Sequence, residues 1–291
     1  MNFDLSEDQL AFQNLAKDFS EKELAPFANE WDAKGVFPVE VIKKAGDLGF
    51  CSLYVDEEDG GMGLGRLDAS IIIEQLSAGC TSTTAFITIH NMSLWMLSKF
   101  GSDNLKKEWC PSLSSGEKLV SYCLTEPGSG SDAASLRTTA EKKGENYILN
   151  GSKSFVSGSG ETNCLVLMAR TGKQGPGGIS CFLIPADTKG IEYGKKEVKM
   201  GWRSQPTRTV GLTDVTIPAS NLIGEVGEGF KIAMLGLDGG RINIATCSVG
   251  TAQAALTAAQ KHMNEREQFG KKIGEFQALQ FKLADMTTEL V

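Results

Sequence analysis

Through the first 118 residues the apolar positions recur at helical spacing. Ser6, with Gln9 three residues on, forms a capping box, and Leu5 and Leu10 are placed to staple across it. Phe12, Leu15, Ala16 and Phe19 follow as one stripe. Pro26 ends or kinks that helix. Pro38 suits the first turn of the next, which turns Val41, Ile42, Ala45 and Leu48 inward. Four glycines between Glu58 and Gly65 mark a loop. Leu67 to Ser77 and Thr83 to Phe100 read as further helices, the second apolar nearly all round and therefore buried.

From Lys118 the period shortens. Leu119 to Leu124 reads as a strand, and Thr138 to Glu141 with Tyr147 to Leu149 as a hairpin. Asn150-Gly151 is expected to turn the chain into a strand at Ser154 to Val156. Leu165 to Ala169, Ile179 to Pro185 and Val210 to Ile217 complete a run that predicts an antiparallel barrel or sandwich. After Gly224 the helical period returns. Phe230 to Glu267 is one long helical stretch whose start Gly236, Gly239 and Gly240 are expected to interrupt, and Gly270 and Gly274 mark a turn. The last helix carries Phe276, Leu279, Leu283, Met286 and Leu290 as its stripe and reaches Val291 without a glycine, proline or basic last turn. The expectation is an α+β chain with an N-terminal α-helical domain (1–118), a middle antiparallel β-barrel-like domain (119–223) and an incomplete C-terminal α-helical domain (224–291).

Composition narrows the function. A chain of 291 residues, 41% hydrophobic and 22% charged, buries a sizeable core. The net charge of −7, without a basic cluster, argues against nucleic-acid partners. Seven cysteines without CxxC spacing suit a reducing compartment rather than a disulfide framework or zinc site, and two histidines, His90 and His262, leave no His-rich metal centre. The acidic start has no hydrophobic signal core, and no apolar run reaches membrane-spanning length, so a soluble, intracellular protein is expected, with no membrane insertion.

The segment Tyr122-Cys-Leu-Thr-Glu-Pro-Gly-Ser-Gly-Ser-Asp132 carries the most chemistry. Gly128, Gly130 and Ala133 fit G-x-G-x-x-A, yet Ser135 to Ala140 is β-like and no parallel βαβ unit follows, which disfavours a Rossmann turn. Two readings stay open on spacing alone: a backbone N–H cradle for a ligand's oxygens, or an ordinary glycine turn. A hydrolase triad has no support, since there is no G-x-S-x-G elbow and both histidines read as core or surface residues of helices.

Taken in order, that segment, Asn150-Gly-Ser-Lys-Ser-Phe-Val-Ser-Gly158, Gly236-Leu-Asp-Gly-Gly-Arg241, Arg266-Glu-Gln-Phe-Gly270 and Phe276-Gln277 resemble the acyl-CoA dehydrogenase family of flavoenzymes over the whole chain. Ser204-Gln-Pro-Thr-Arg208 and Gly239-Gly-Arg-Ile-Asn-Ile-Ala245 look like the branch acting on isobutyryl-CoA in valine breakdown. The resemblance implies FAD as cofactor, bound by Tyr122, Cys123, Leu124, Thr125, Gly130, Ser131, Phe155, Val156 and Ser157, and by Arg266, Phe276 and Gln277 partly across a subunit interface. It implies that Ser131, Asp238, Gly239, Gly240 and Arg241 approach a short branched acyl-CoA. It further implies a homotetramer, electron transfer to electron-transferring flavoprotein, and a mitochondrial matrix location in a eukaryote or a cytoplasmic one in a bacterium.

Removal of a thioester α-proton needs a carboxylate base opposite the flavin. Most of the family carries that Glu beyond the length of this chain; a minority carries it at the position of Gly240, which has no side chain. The expectation is therefore that the base belongs to an absent C-terminal segment and that the 291 residues alone are inactive. Within the family the alternative is a 2-methylbutyryl- or butyryl-CoA enzyme. If 291 residues is the natural length, the alternative is a non-catalytic flavin- or acyl-CoA-binding protein.

Overall fold

The computed structural model describes residues 4–290; Met1 to Phe3, at the head of the acidic start, and Val291 lie outside the described residues. The capping box forms as read: Gln9 N donates to Ser6 Oγ while Ser6 N donates to Gln9 Oε1, opening α1 (Glu7–Phe19). One π-helical turn, Ser20–Leu24, follows before Pro26, then α2 (Ala28–Lys34) and α3 (Val39–Asp47), the latter capped by Pro38 and burying Ile42 and Ala45. The two helices expected between Leu67 and Phe100 are present and meet at a kink at Cys80 (φ −152, ψ 98); together they are α4 (Arg66–Phe100). Most of its second half is buried, with Lys99 exposed. α5 (Asp103–Ser114) completes the helical layer.

The middle region holds β1 (Val120–Cys123), β2 (Thr139–Lys143), β3 (Asn146–Ser157), β4 (Cys164–Arg170), β5 (Ile179–Pro185), β6 (Ile191–Tyr193), β7 (Thr207–Pro218) and β8 (Leu222–Ile223). They form one sheet in the order β6-β7-β3-β2-β4-β5-β8, with β1 also beside β4. This corrects the barrel-like expectation in two respects. The path is open, because its end strands have three and two residues and present little edge to pair. The sheet is also not purely antiparallel: β1 and β2 each run parallel to β4. Asn150-Gly151 does not turn the chain but makes a bulge within β3, Gly151 at φ 152, so the strand runs on to Ser157.

β4 is buried on both faces. Cys164, Val166 and Met168 pack towards α4 and α5, while Leu165, Leu167 and Ala169 enter a second core with Phe182, Tyr147 and Val210. His90 ties α4 to this layer, its Nε2 2.9 Å from the Leu113 carbonyl and its Nδ1 accepting from Val120 N at 3.2 Å. That pairing makes it a neutral imidazole, and burial lowers its pKa to about 4.

The chain returns to helix in α6 (Gly229–Glu265), 37 residues long and continuous. Gly236, Gly239 and Gly240 do not interrupt it. They sit on or beside its inward stripe of Ala233, Gly236, Gly239, Asn243, Cys247 and Gly250, where glycine lets α4 approach closely. A Cβ at Gly250 would lie 2.2 Å from the Glu74 carbonyl, and one at Gly236 would strike the Met96 methyl. Beyond Gly250 no residue of α6 is buried. A two-stranded hairpin, β9 (Glu267–Gln268) and β10 (Lys271–Lys272), leads into α7 (Gln277–Leu290), which buries no residue.

Candidate active site

A cavity of about 200 Å³ opens where α4, β3, α6 and the end of β1 converge. From the sheet side come Tyr122, Leu124, Thr125, Ser154, Phe155 and Ser157. From the helices come Thr88, Ile89 and Met92 of α4 and Leu237, Gly240 and Ile244 of α6. Tyr122, Leu124, Thr125, Phe155, Ser157 and Gly240, all expected at the site, are thus together. The helical wall other than Gly240 was not singled out in the sequence. Its signal is present in retrospect: Leu237, Gly240 and Ile244 share one face at i, i+3 and i+7.

The backbone around the cavity is unusually constrained. Phe155 adopts a left-handed φ of 55 within β3 and stands 67% exposed. Ser154 N donates to Thr125 O at 2.8 Å, tying β3 to the segment after β1, and Ser121 Oγ donates to the Ser157 carbonyl at 2.7 Å. The glycine-rich turn is closed by reciprocal backbone bonds between Glu126 and Ser129. Glu126 turns away from the cavity: its carboxylate accepts from Lys153 Nζ, Thr138 N and Arg137 N at 2.8, 2.9 and 2.6 Å. Burial alone would raise its pKa, but the Lys153 charge and these donors together hold it below the usual carboxylate value.

The remaining site candidates distribute differently. Cys123 and Val156 lie fully inside the second core, so only their backbone atoms are free to face a ligand. Ser131 is exposed on the glycine turn, and a Cβ at Gly130 would have open space, meeting nothing nearer than Thr125 Cγ2 at 4.0 Å. Gly239 faces inward, against the Arg66 guanidinium. Asp238 and Arg241 are exposed and 3.8 Å apart. Arg266, Phe276 and Gln277 lie at the other end of α6, about 39 Å along the axis from Gly240 at 1.5 Å per residue. There Phe269 is 93% exposed at φ 53, and the Lys271 ammonium lies 4.4 Å from the Phe276 ring centroid.

The cavity suits a flat, partly apolar ring. Its wall is largely apolar, glycines beside it have room for backbone approach, and the Tyr122 hydroxyl is buried without a hydrogen-bond partner. Burial pushes the Tyr122 pKa well above its ordinary value, so it is a neutral phenol.

Residues 6–117, 121–215 and 227–291 match, in that order, the N-terminal, middle and C-terminal domains of acyl-CoA dehydrogenases. The chain belongs to the acyl-CoA dehydrogenase family. It is 53% identical over 287 residues to isobutyryl-CoA dehydrogenase, mitochondrial, of Bos taurus, covering 99% of this chain and 69% of that protein. Identity to the enzyme of the same name in Dictyostelium discoideum is also 53%, over 98% of this chain and 69% of the relative. Among solved structures, butyryl-CoA dehydrogenase from Megasphaera elsdenii superposes with a TM-score of 0.95 at 38% identity, over 100% of this chain and 77% of that one. An acyl-CoA dehydrogenase fold is thereby established, with its helical, sheet and helical regions in family order.

Proposed function

We propose that this chain carries out the FAD-dependent α,β-dehydrogenation of a short branched acyl-CoA, with isobutyryl-CoA as the leading substrate. The observation that carries the reading is the convergence of the family's flavin segments on one small, largely apolar cavity, in a chain 53% identical to isobutyryl-CoA dehydrogenases. As a member of this family the chain is an oxidoreductase, and FAD is its cofactor. When bound, FAD supplies the acceptor for the hydride leaving the thioester β-carbon. Tyr122, Thr125 and Ser157 offer polar groups to the ring, Phe155 shields it from water, and Gly130 and Ser131 offer backbone and hydroxyl donors. Cys123, Leu124 and Val156 contribute through their backbone. Asp238 and Arg241 stand at the α6 surface for the CoA portion, while Gly239 and Gly240 keep the helix backbone close to the acyl group.

No carboxylate lines the cavity among the described residues. Glu126 is held by Lys153 and two backbone donors, and Gly240 has no side chain. We infer that the base comes from outside these residues. The distance of about 39 Å along α6 between Gly240 and Arg266 likewise supports an arrangement in which Arg266, Phe276 and Gln277 complete the FAD site of a neighbouring copy, in a homotetramer. Electron-transferring flavoprotein is the proposed partner that would accept the electrons held by the cofactor. Relatives named mitochondrial support a matrix location in a eukaryote, and the Bacillus subtilis relative a cytoplasmic one in a bacterium. Among the described residues no helix is long and apolar enough to cross a membrane.

The test compares isobutyryl-, 2-methylbutyryl- and butyryl-CoA with an artificial electron acceptor, using protein purified from its source and the 291-residue chain. Highest kcat/KM on isobutyryl-CoA for the native protein, and negligible turnover by the 291 residues, are expected. Preference for butyryl-CoA would overturn the substrate assignment. Robust turnover by the 291 residues would overturn the external base. The empty carboxylate position also favours a second reading, a flavin- or acyl-CoA-binding protein without catalysis; FAD retention with no turnover by native protein would establish it.

A further inference from the structure

Lys153 and Glu126 form an ion pair at 2.8 Å whose side chains are 0% and 6% exposed, and neither lines the cavity. The pair joins three separate segments. Lys153 belongs to β3 and also donates to the Leu124 carbonyl at 3.0 Å. Glu126 belongs to the glycine turn and receives the backbone donors of Arg137 and Thr138, just before β2. Leu124 and Thr125, on one side of this knot, and Ser154 and Phe155, on the other, are cavity residues.

Replacing a buried ion pair with well-packed apolar residues is often neutral or stabilising, so cohesion alone does not account for this one. What an apolar pair lacks is direction. Lys153 aims at one carbonyl and one carboxylate oxygen and so fixes the height of Leu124–Glu126 relative to β3. Phe155, two residues on, keeps a left-handed φ that a phenylalanine adopts only when its surroundings over-determine it. As a unit the pair is neutral and brings no net charge towards the cavity. Burial lowers the Lys153 pKa while the Glu126 charge opposes that fall.

We propose that Lys153 and Glu126 are positioning residues for the flavin, setting the spacing between the Leu124–Thr125 backbone and the Ser154–Phe155 backbone without touching the cofactor. This rests on the reading of the cavity as the FAD site. It makes cofactor affinity and flavin environment depend on a charge pair remote from the ring.

The test uses the complete native-length protein and its K153M, E126Q and E126Q/K153M variants. Readouts are the FAD dissociation constant, the visible circular dichroism of the bound flavin, and the thermal midpoint of the apoprotein. K153M and E126Q are each expected to weaken FAD binding about tenfold or more, the effect of one misdirected charged hydrogen bond, and to change the visible dichroism. The double variant is expected to recover much of the thermal midpoint of K153M but not the affinity or the dichroism. If K153M does not fold, E126Q decides, since it keeps the shape of the side chain. FAD affinity within threefold of wild type and an unchanged dichroism in every folded variant would overturn the positioning role. Failure of the wild-type protein to bind FAD would instead overturn the functional reading beneath it.

Discussion

On the sheet side of the cavity, backbone is held by directional polar contacts, with Lys153, Glu126, Ser154 and Ser121 each aimed at a named atom. On the helical side α4 meets α6 through Gly236, Gly239 and Gly250, which accept whatever α4 presents. The first wall fixes angles and atom positions. The second fixes only a distance between two axes. A flat cofactor that needs its ring edge met by particular donors suits the first, and an acyl chain that needs a gap of the right width suits the second.

The contrast breaks most readily at the polar wall. Lys153→Met leaves Glu126 buried without its cation and is expected to cost about 3–5 kcal/mol, read by urea denaturation of the apoprotein. The next effect comes from His90, which joins the two walls. Its folded-state pKa of about 4 lies below the ordinary 6.5, so the unfolded chain takes up the proton first as pH falls. The stability it contributes is full above pH 6.5 and is lost on descending to pH 4, about 3 kcal/mol in all. A His90→Gln variant, measured by denaturation across that window, is expected to show a correspondingly flatter profile. On the helical wall, Gly250→Ala places a methyl against the Glu74 backbone, which cannot swing aside, and is expected to cost about 1–3 kcal/mol. Gly236→Ala meets the end of the flexible Met96 side chain and is expected to cost less, a difference in thermal midpoint that separates rigid from yielding contacts. Smallest is Ser6→Ala, outside both walls, at about 1 kcal/mol from loss of the cap.

Local signals carried most of the element assignment. The Ser6–Gln9 box, the Pro38 start and the gap between Ser77 and Thr83, where Cys80 breaks α4, all depend on residues within one or two turns. Gly236, Gly239 and Gly240 misled for the same reason: alone they weaken a helix, and contact with α4, far away in sequence, reverses their meaning. Asn150-Gly151 likewise reads as a hairpin turn unless the pairing of β3 with β7 is known. The parallel placement of β1 beside β4, and the failure of the sheet to close, are equally non-local. Of the site, the sheet-wall residues were named through the family resemblance of two short segments, Tyr122–Asp132 and Asn150–Gly158, while spacing alone left the glycine turn open. Lys153 was not singled out, because its partner is 27 positions away and a lysine within a strand ordinarily signals a solvated face.

α6 runs unbroken from the cavity to the hairpin bearing Phe269, and among the described residues its half beyond Gly250 is flanked by α7 and the turn before it without burying a residue. Its geometry is that of a lever with its fulcrum on the glycine seam. A tilt of about 5° at Gly236–Gly250 carries Arg266 sideways by about 3 Å over the 39 Å arm, more than a hydrogen bond tolerates. In the proposed homotetramer, the small residues of the seam would set how accurately Arg266 of one copy reaches the FAD site of another, so that assembly would be more sensitive to a methyl group there than the cavity itself is.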